Sequence, residues 1–201
     1  MTDDLKELKQ ELRKKDLQIK DLQVLATKDS LTGLLNRRGF EEKVSQVIND
    51  IIFSIENPTK RRHFYIDSIS ILFFDIDNFK KINDDFGHKT GDQVLRHVAG
   101  LISQKVRGID FVCRWGGEEI VVALVGAGES DAYQKAEEIR KAVKSRVKAG
   151  DDKFVTVSGG VASLNGSKDL EELIRRADKA MYEAKHNRGK DNTVRYSELN
   201  F

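Results

Sequence analysis

The chain has 201 residues, and its 35 lysines and arginines nearly balance 33 aspartates and glutamates, leaving a formal net charge of +2. A surface that binds a nucleic-acid polymer needs net positive charge, so this balance argues against such a partner. With 39% hydrophobic residues, one proline and 15 glycines, the composition excludes disordered and collagen-like classes and suits one domain with an appendage. The lone Cys113 excludes an internal disulfide and predicts a cytoplasmic protein. The absence of a long apolar run argues against a membrane segment or signal peptide.

The first 28 residues contain no glycine, proline or aromatic residue, and apolar side chains recur at alternating steps of three and four. This spacing is typical of a coiled-coil seam, here at Leu5, Leu8, Leu12, Lys15, Ile19, Leu22 and Ala26, where the charged Lys15 interrupts the apolar series. The pattern favours a parallel dimeric coil over an amphipathic helix packed on its own domain, because the flanking residues are mostly charged or amide. We therefore predict a signalling helix over 1–28, descending from an upstream sensor domain, and a globular domain over 29–201.

The rest of the chain alternates between helices and strands. The segment DSLTGLLNRR at 29–38 indicates a helix break and a turn. The pattern then predicts a helix at 40–55, a basic loop at 59–67, a buried strand at 70–75, a helical turn around Phe79 and a helix at 91–105. Strands follow at 111–114 and 120–125 around a WGGEE hairpin, then a helix at 131–148, a strand at 154–162, a helix at 169–187 and an edge strand at 193–196. This order predicts an α+β fold with a split β-α-β-β-α-β core flanked by helices.

Carboxylates gather where the strand at 70–75 ends and at the tip of the hairpin. Asp75 and Asp77 leave the strand on the same face, and a central hairpin would bring Glu118 and Glu119 beside them. Hard oxygen ligands of this kind bind Mg²⁺, and the two glycines before Glu118 leave room for a phosphate. Each pair alone also fits an ordinary turn or a solvated hairpin, so the prediction of four metal-directed carboxylates rests on their conjunction.

Five segments, in order, resemble the GGDEF domain of the diguanylate cyclase family: DSLTGLLNRR at 29–38, FFDIDNFKKINDDFGHKTGDQVL at 73–95, RWGGEEI at 114–120, TVSGGVA at 156–162 and ADKAMYEAK at 177–185. The resemblance spans residues 29 to about 196. It implies a nucleotide-cyclase-like sheet containing antiparallel strands. It also implies an enzyme that joins two GTP molecules into cyclic di-GMP and releases two pyrophosphates. In this family each domain holds one GTP and two domains meet face to face, so we expect a homodimer joined through the coil.

The resemblance assigns roles at the carboxylate cluster. It implies that Asp75, the backbone carbonyl of Ile76 and Glu118 bind two Mg²⁺ or Mn²⁺ ions per GTP, which activate the α-phosphate and the attacking 3′-hydroxyl. Glu119 would assist metal binding or remove a proton, and the sequence does not choose between these roles. Glu118 stands where the family name has Asp, and Ile120 replaces the final Phe, so the carboxylate and the bulky apolar residue are both kept.

Four residues match the family's phosphate-binding positions, namely Phe79, Lys80, Lys185 and Lys190. Phe79 equally fits a core position. The chain reads AKHNRGKDN, one residue longer between Lys185 and Gly189 than the family pattern. Arg188 therefore competes with Lys190 for the second phosphate contact.

Two further pairs match sites for guanine. Asn83 and Asp92 carry an amide and a carboxylate that suit guanine, whereas adenine would leave Asp92 facing an acceptor. Arg107 and Asp110 form an R-x-x-D that resembles the family's product-inhibition site, where cyclic di-GMP binds, although a surface ion pair explains the same residues.

Two other functions remain open from the residues. One is a non-catalytic module that binds cyclic di-GMP or GTP, and the other is a purine cyclase that makes a different product. The intact metal ligands argue against the first, and Asn83 with Asp92 argues against the second.

Overall fold

The computed structural model describes residues 2–57, 66–151, 153–164 and 169–199. In chain order these ranges contain α1 Thr2–Thr27, β1 Leu35–Asn36, α2 Arg37–Glu56, β2 Ile69–Ile76, α3 Phe79–Phe86, α4 His88–Lys105, β3 Phe111–Gly116, β4 Glu119–Val125, α5 Glu129–Arg146, β5 Lys148–Ala149, β6 Lys153–Phe154, β7 Val157–Ser163, α6 Leu170–His186 and β8 Thr193–Arg195. A short 3₁₀ turn, Tyr196–Glu198, follows β8.

The central sheet has six strands in the order β1-β3-β4-β2-β7-β8. β2 lies antiparallel to both β4 and β7, while the outer pairs β1–β3 and β7–β8 are parallel. The hairpin of β3 and β4 therefore lies directly beside the central strand, with Asp75 in register with Glu119. The predicted mixed fold with its split β-α-β-β-α-β core is confirmed, and β8 is the predicted edge strand.

Every residue of β2 is buried because helices cover both faces of the sheet. Leu72, Phe74 and Ile76 belong to the core cluster that includes residues of α4 and α5. Ile71 and Phe73 belong to the opposite cluster, which includes residues of α2 and α6. Since side chains alternate along a strand, Asp75 continues the Ile71 and Phe73 series toward α6.

Close contact between α6 and β7 depends on a glycine. A Cβ atom added at Gly160 would overlap the backbone of Ala177 and Met181 in α6. The small residue therefore lets the helix lie directly on the sheet, which sets the height of Lys185 above the end of β2.

The structure differs from the sequence prediction mainly at short elements. The two-residue strands β1, β5 and β6 were not predicted, because so short a strand has no measurable alternation. α4 begins at His88 rather than at residue 91, and α3 is a full helix of eight residues. Most of the basic segment predicted at 59–67 lies outside the described residues.

α1 is helical, as predicted, and its apolar side chains are exposed within this single chain. Leu8, Leu12 and Ile19 are 64%, 62% and 52% exposed, and Lys15 pairs with Glu11 at 3.2 Å on the same helix. The side chains of Leu5 and Leu22 lie outside the described set. Among the described residues, no helix is long and apolar enough to cross a membrane.

Candidate active site

Asp75 is the buried carboxylate at the end of β2. The residue is only 5% exposed, and its Oδ1 lies 2.8 Å from the Lys185 ammonium of α6. This oxygen pairs with the Lys185 ammonium and has no other hydrogen-bond partner among the described residues. Burial raises the pKa of Asp75, the Lys185 charge lowers it, and the neighbouring Glu118 and Asp77 charges raise it further. A buried carboxylate that lies beside two other acids and has one ammonium partner is in an environment that favours a bound cation.

The hairpin tip brings two more carboxylates to this edge. The Ile76 N–H donates to the Glu118 carbonyl at 3.3 Å, which attaches the tip to the end of β2. Glu119 is in register with Asp75 and its pKa is raised by burial, by Asp75 and by the charge of Asp178 on α6. The fold therefore places Asp75, Glu118 and Glu119 at the same edge of the sheet.

The tip is also tied to the end of α1. Arg114 donates from Nε to the Gly117 carbonyl at 2.9 Å, and its Nη1 lies 3.2 Å from the Asp29 carboxylate. Asp29 accepts from the Thr32 N–H and hydroxyl at 2.8 and 2.7 Å. The turn that follows α1 is thus connected by hydrogen bonds to the hairpin tip.

These residues fit a divalent metal by the chemistry of their donors. Asp75 offers an oxygen that pairs with Lys185 alone among the described residues, and the nearby Glu118 adds a second hard oxygen ligand. Within the described ranges, no three acidic, histidine or cysteine side chains already converge as a metal-binding group. The Lys185 ammonium supplies the positive charge beside Asp75 in this arrangement.

Asp77 has a different role from the one predicted. Its Oδ1 accepts from the Ser158 hydroxyl at 2.7 Å, and its Oδ2 accepts from the Thr156 hydroxyl at 2.7 Å and the Asp191 N–H at 3.0 Å. The residue is 3% exposed. The expectation that Asp77 serves a metal is wrong, because its lone pairs already join β2 to β7 and to the segment after α6.

The cationic side chains that could bind phosphate lie at different positions around the end of β2. Lys190 donates to Asn78 Oδ1 at 2.7 Å and so lies over the turn between β2 and α3. Arg188 is exposed and lies 4.0 Å from Glu183 on the outer side of α6. Lys80 is exposed on the first turn of α3, while Phe79 is partly buried against the core. The geometry thus favours Lys190 over Arg188 as the cation on the Asp75 side.

The candidate guanine residues lie on the adjacent helices α3 and α4. Asn83 and Asp92 are both partly buried. A Cβ atom at Gly91 would overlap Asn83 Oδ1 and would lie 3.3 Å from the Phe79 ring. The position of the Asn83 amide therefore depends on the absence of a side chain at residue 91.

Arg107 and Asp110 form a closed hydrogen-bonded turn between α4 and β3. Asp110 Oδ2 accepts from the Arg107 N–H at 2.8 Å and from Nε at 3.2 Å, and Oδ1 accepts from Nη2 at 3.0 Å and the Val125 N–H at 3.0 Å. The Arg107 side chain is 59% exposed, and that of Asp110 is 1% exposed. The guanidinium also donates from Nη2 to the Val125 carbonyl at 2.7 Å, so the turn uses the carboxylate and part of the guanidinium internally.

A cleft that the sequence reasoning missed lies beside Glu119, between α2 and α6. Its volume is about 600 Å³, and Trp115, Arg37 and Asp178 contribute to its walls. The Arg37 guanidinium stacks 4.3 Å from the Trp115 ring centre. Spacing offered a signal, because Asp178 precedes Lys185 by two helical turns and so shares its face of α6.

Comparison with known proteins identifies the family of the chain. The family model described as diguanylate cyclase, GGDEF domain, matches residues 26–191. The chain therefore belongs to the GGDEF family of diguanylate cyclases. The response regulator PleD of Caulobacter vibrioides is 42% identical over 166 residues, which cover 80% of this chain and 34% of PleD. The diguanylate cyclase DosC of Escherichia coli is 41% identical over 160 residues, covering 78% and 32%. The chain spans about a third of the length of these relatives.

Solved structures give the same family. The coiled coil and GGDEF domain of DgcB from Caulobacter crescentus, in complex with c-di-GMP, has a TM-score of 0.82 and 28% identity, covering 95% of this chain and 96% of that one. The active GGEEF domain of a diguanylate cyclase from Vibrio cholerae has a TM-score of 0.69 and 31% identity, covering 83% and 99%.

Proposed function

We propose that this chain is a catalytic domain that condenses two GTP molecules into cyclic di-GMP, working as a dimer in the cytoplasm. The single observation that carries the proposal is the buried Asp75 carboxylate, which lies beside the hairpin carboxylates and pairs with Lys185 alone among the described side chains. Each 3′-hydroxyl attacks the α-phosphate of the other GTP. A phosphorus–oxygen bond forms, the bond to the β-phosphate breaks, and one pyrophosphate leaves from each nucleotide.

The carboxylate cluster would hold the metals. Asp75, the Ile76 carbonyl and Glu118 are the proposed ligands of two Mg²⁺ or Mn²⁺ ions per GTP. When bound, these ions polarise the α-phosphate and make the 3′-hydroxyl more acidic. Glu119, which is in register with Asp75, either completes the ligand set or accepts the hydroxyl proton. Lys185 and Lys190 neutralise phosphate charge, and the backbone at Phe79 and Lys80 contacts the outer phosphates.

The nucleobase would lie between α3 and α4, where Asn83 and Asp92 recognise guanine. The crowding at Gly91 provides a sharp test of this assignment. Gly91→Ala should weaken GTP use about tenfold by displacing the Asn83 amide. Gly100→Ala is the matched control, because a Cβ there meets nothing within 4 Å on the same helix. In an Asn83→Ala background the Gly91→Ala change should have no further effect. Equal activity of Gly91→Ala and Gly100→Ala would contradict the assignment.

The exposed apolar residues of α1 support a coiled-coil homodimer. One domain holds one GTP, so cyclisation needs two domains at high local concentration in the correct orientation. Leu8, Leu12 and Ile19 would be buried in such a coil. Because the curated relatives are about three times longer, we propose that an upstream sensor domain sets the orientation of the two helices.

The Arg107–Asp110 turn is the proposed site of product inhibition. Arg107 offers an exposed guanidinium that can form a fork to guanine N7 and O6. Asp110 would accept from guanine N–H groups only after the guanidinium releases it, because both of its oxygens are filled. Binding of the product would therefore replace an internal ion pair.

Product analysis tests the proposed function directly. The purified chain is incubated with GTP and Mg²⁺ at concentrations that allow dimers, and the product is identified by mass spectrometry. We expect cyclic di-GMP from GTP and no cyclic dinucleotide from ATP. Finding no cyclic di-GMP would refute the enzymatic proposal, and a different cyclic product would replace it with another cyclase activity.

A further inference from the structure

The segment after α6, residues 187–192, adopts an unfavourable backbone conformation. Lys190 and Asp191 have φ values of 67° and 45°, which are left-handed and rarely occupied by residues other than glycine. We call residues 187–192 the lysine loop, because it carries Lys190, whose ammonium lies at the turn before α3. A loop of this kind persists only when its surroundings hold it in place.

The lysine loop is held from two sides. On the sheet side, the Asp191 N–H donates to Asp77 at 3.0 Å and the Lys190 N–H donates to the Ala184 carbonyl at 3.1 Å. On the other side, Arg140 of α5 donates from Nη1 to the Asp191 carbonyl at 3.1 Å and also contacts its carboxylate. Lys144 donates to the second oxygen of that carboxylate at 2.6 Å.

Arg140 is itself fixed in orientation. Its Nε and Nη2 donate to the two oxygens of Glu137 at 2.7 and 2.9 Å, and its side chain is 13% exposed. A guanidinium held by a bidentate carboxylate loses little further entropy when it binds a second group. The Lys144 side chain is 57% exposed, so it is the weaker of the two contacts.

We infer that Arg140 and Asp191 form a clamp that holds Lys190 in position to bind the phosphate chain of the substrate. This inference rests on the proposed function, since it assigns positioning residues to the same site. The clamp connects α5 to Lys190, whose ammonium lies at the turn that contains Asn78. α5 contributes no residue to the proposed catalytic set. Without the clamp, the left-handed backbone relaxes and the Lys190 ammonium leaves Asn78.

The first test needs no nucleotide. Amide hydrogen exchange of Lys190 and Asp191 is compared in wild type, Arg140→Ala and Lys141→Ala, the last a neighbour on α5 whose side chain is 70% exposed. Arg140→Ala should speed exchange at both amides about tenfold or more relative to the control. Arg140→Lys should recover part of the protection. Unchanged protection in Arg140→Ala would overturn the clamp, whatever the protein catalyses.

The second test compares nucleotides that carry three phosphates or one. The affinities for GTP and GMP are measured in wild type, Arg140→Ala, Lys190→Ala and the double variant. Divalent metal is left out so that GTP is not converted to product. We expect Arg140→Ala to lower the GTP-to-GMP affinity ratio about as much as Lys190→Ala, roughly tenfold, and the double variant to lower it no further. Equal weakening of both nucleotides, or additive losses, would indicate a purely structural role and refute the inference. Failure of wild type to bind GTP would instead refute the proposed function, while the exchange result would still decide the clamp.

Discussion

The end of β2 and the Arg107–Asp110 turn each hold a buried aspartate against a cation, but the two carboxylates differ in their hydrogen bonding. Asp110 accepts four hydrogen bonds from the protein, so the fold uses all of its lone pairs. Asp75 Oδ1 has the Lys185 ammonium as its one partner among the described residues. The difference indicates that Asp110 stabilises a turn, and it supports the proposal that Asp75 binds a ligand.

Asp77 sharpens the comparison because it lies two residues from Asp75 and accepts three hydrogen bonds from the protein. Proximity to the candidate active site therefore does not separate the two carboxylates. The number of internal hydrogen-bond donors does, since a buried carboxylate with few donors costs free energy that a bound cation can offset.

The largest expected effect is the loss of catalysis on substitution of Asp75. Asp75→Ala should lower the rate of cyclic di-GMP formation by about 10³-fold or more, because it removes a proposed metal ligand. The thermal midpoint should fall by less than in Asp77→Ala, because Lys185 is the protein cation that loses its partner and it is partly exposed. A rate assay with a thermal melt of the same sample checks both results, and strong unfolding without a specific rate loss would break the comparison.

Asp77→Ala should mainly lower stability, whereas Asp75→Ala should mainly lower the rate. The change at Asp77 leaves the Ser158 hydroxyl, the Thr156 hydroxyl and the Asp191 N–H without their acceptor, and should lower the free energy of unfolding by about 3 kcal/mol. Chemical denaturation measures the change. Asp77→Asn keeps one acceptor oxygen and should lose less. Wild-type stability in Asp77→Ala would show that these hydrogen bonds do not carry the assigned role.

Substitution of the two residues that form the turn should lower the free energy of unfolding by different amounts. Asp110→Ala leaves the Arg107 and Val125 N–H groups unpaired and should cost about 2 kcal/mol, while Arg107→Ala should cost under about 1 kcal/mol because its side chain is exposed. Denaturation of both variants tests this. Added cyclic di-GMP should inhibit wild type more strongly than Arg107→Ala, and equal inhibition would exclude this turn as the product site.

A pH dependence is expected at the carboxylate of Glu137, which forms a two-bonded pair with Arg140. The Arg140 guanidinium lowers the pKa of Glu137 from 4.5 to about 2. The pair's contribution to the free energy of unfolding, about 1 to 2 kcal/mol, is therefore fully present above about pH 4.5 and is lost as the pH falls toward 2. Glu137→Gln should flatten stability in that window relative to Glu42→Gln, an exposed position on α2. Parallel profiles for the two variants would contradict the assignment.

Local patterns predicted much of this molecule. The apolar run of β2, the GGEE hairpin and the amphipathic α6 appear in sequence because their periods and turn residues are set by neighbours in the chain. The same reasoning placed Asp75 and Asp77 on one face of β2. It could not distinguish their roles, since the donors to Asp77 come from Thr156, Ser158 and Asp191.

The choice between Lys190 and Arg188 shows the same limit. The two cations are two residues apart, and their spacing after Lys185 did not separate them. The left-handed backbone at Lys190 and Asp191, held by Arg140, turns one cation toward Asn78 and leaves the other near Glu183.

The sequence by itself determined the family, the order of elements and the set of carboxylates and cations, because residue type and spacing are local properties. Only the tertiary structure decided which of those charges are already satisfied. Hydrogen-bond saturation depends on donors that folding brings from distant segments, and a charge becomes available to a ligand only where those donors are missing.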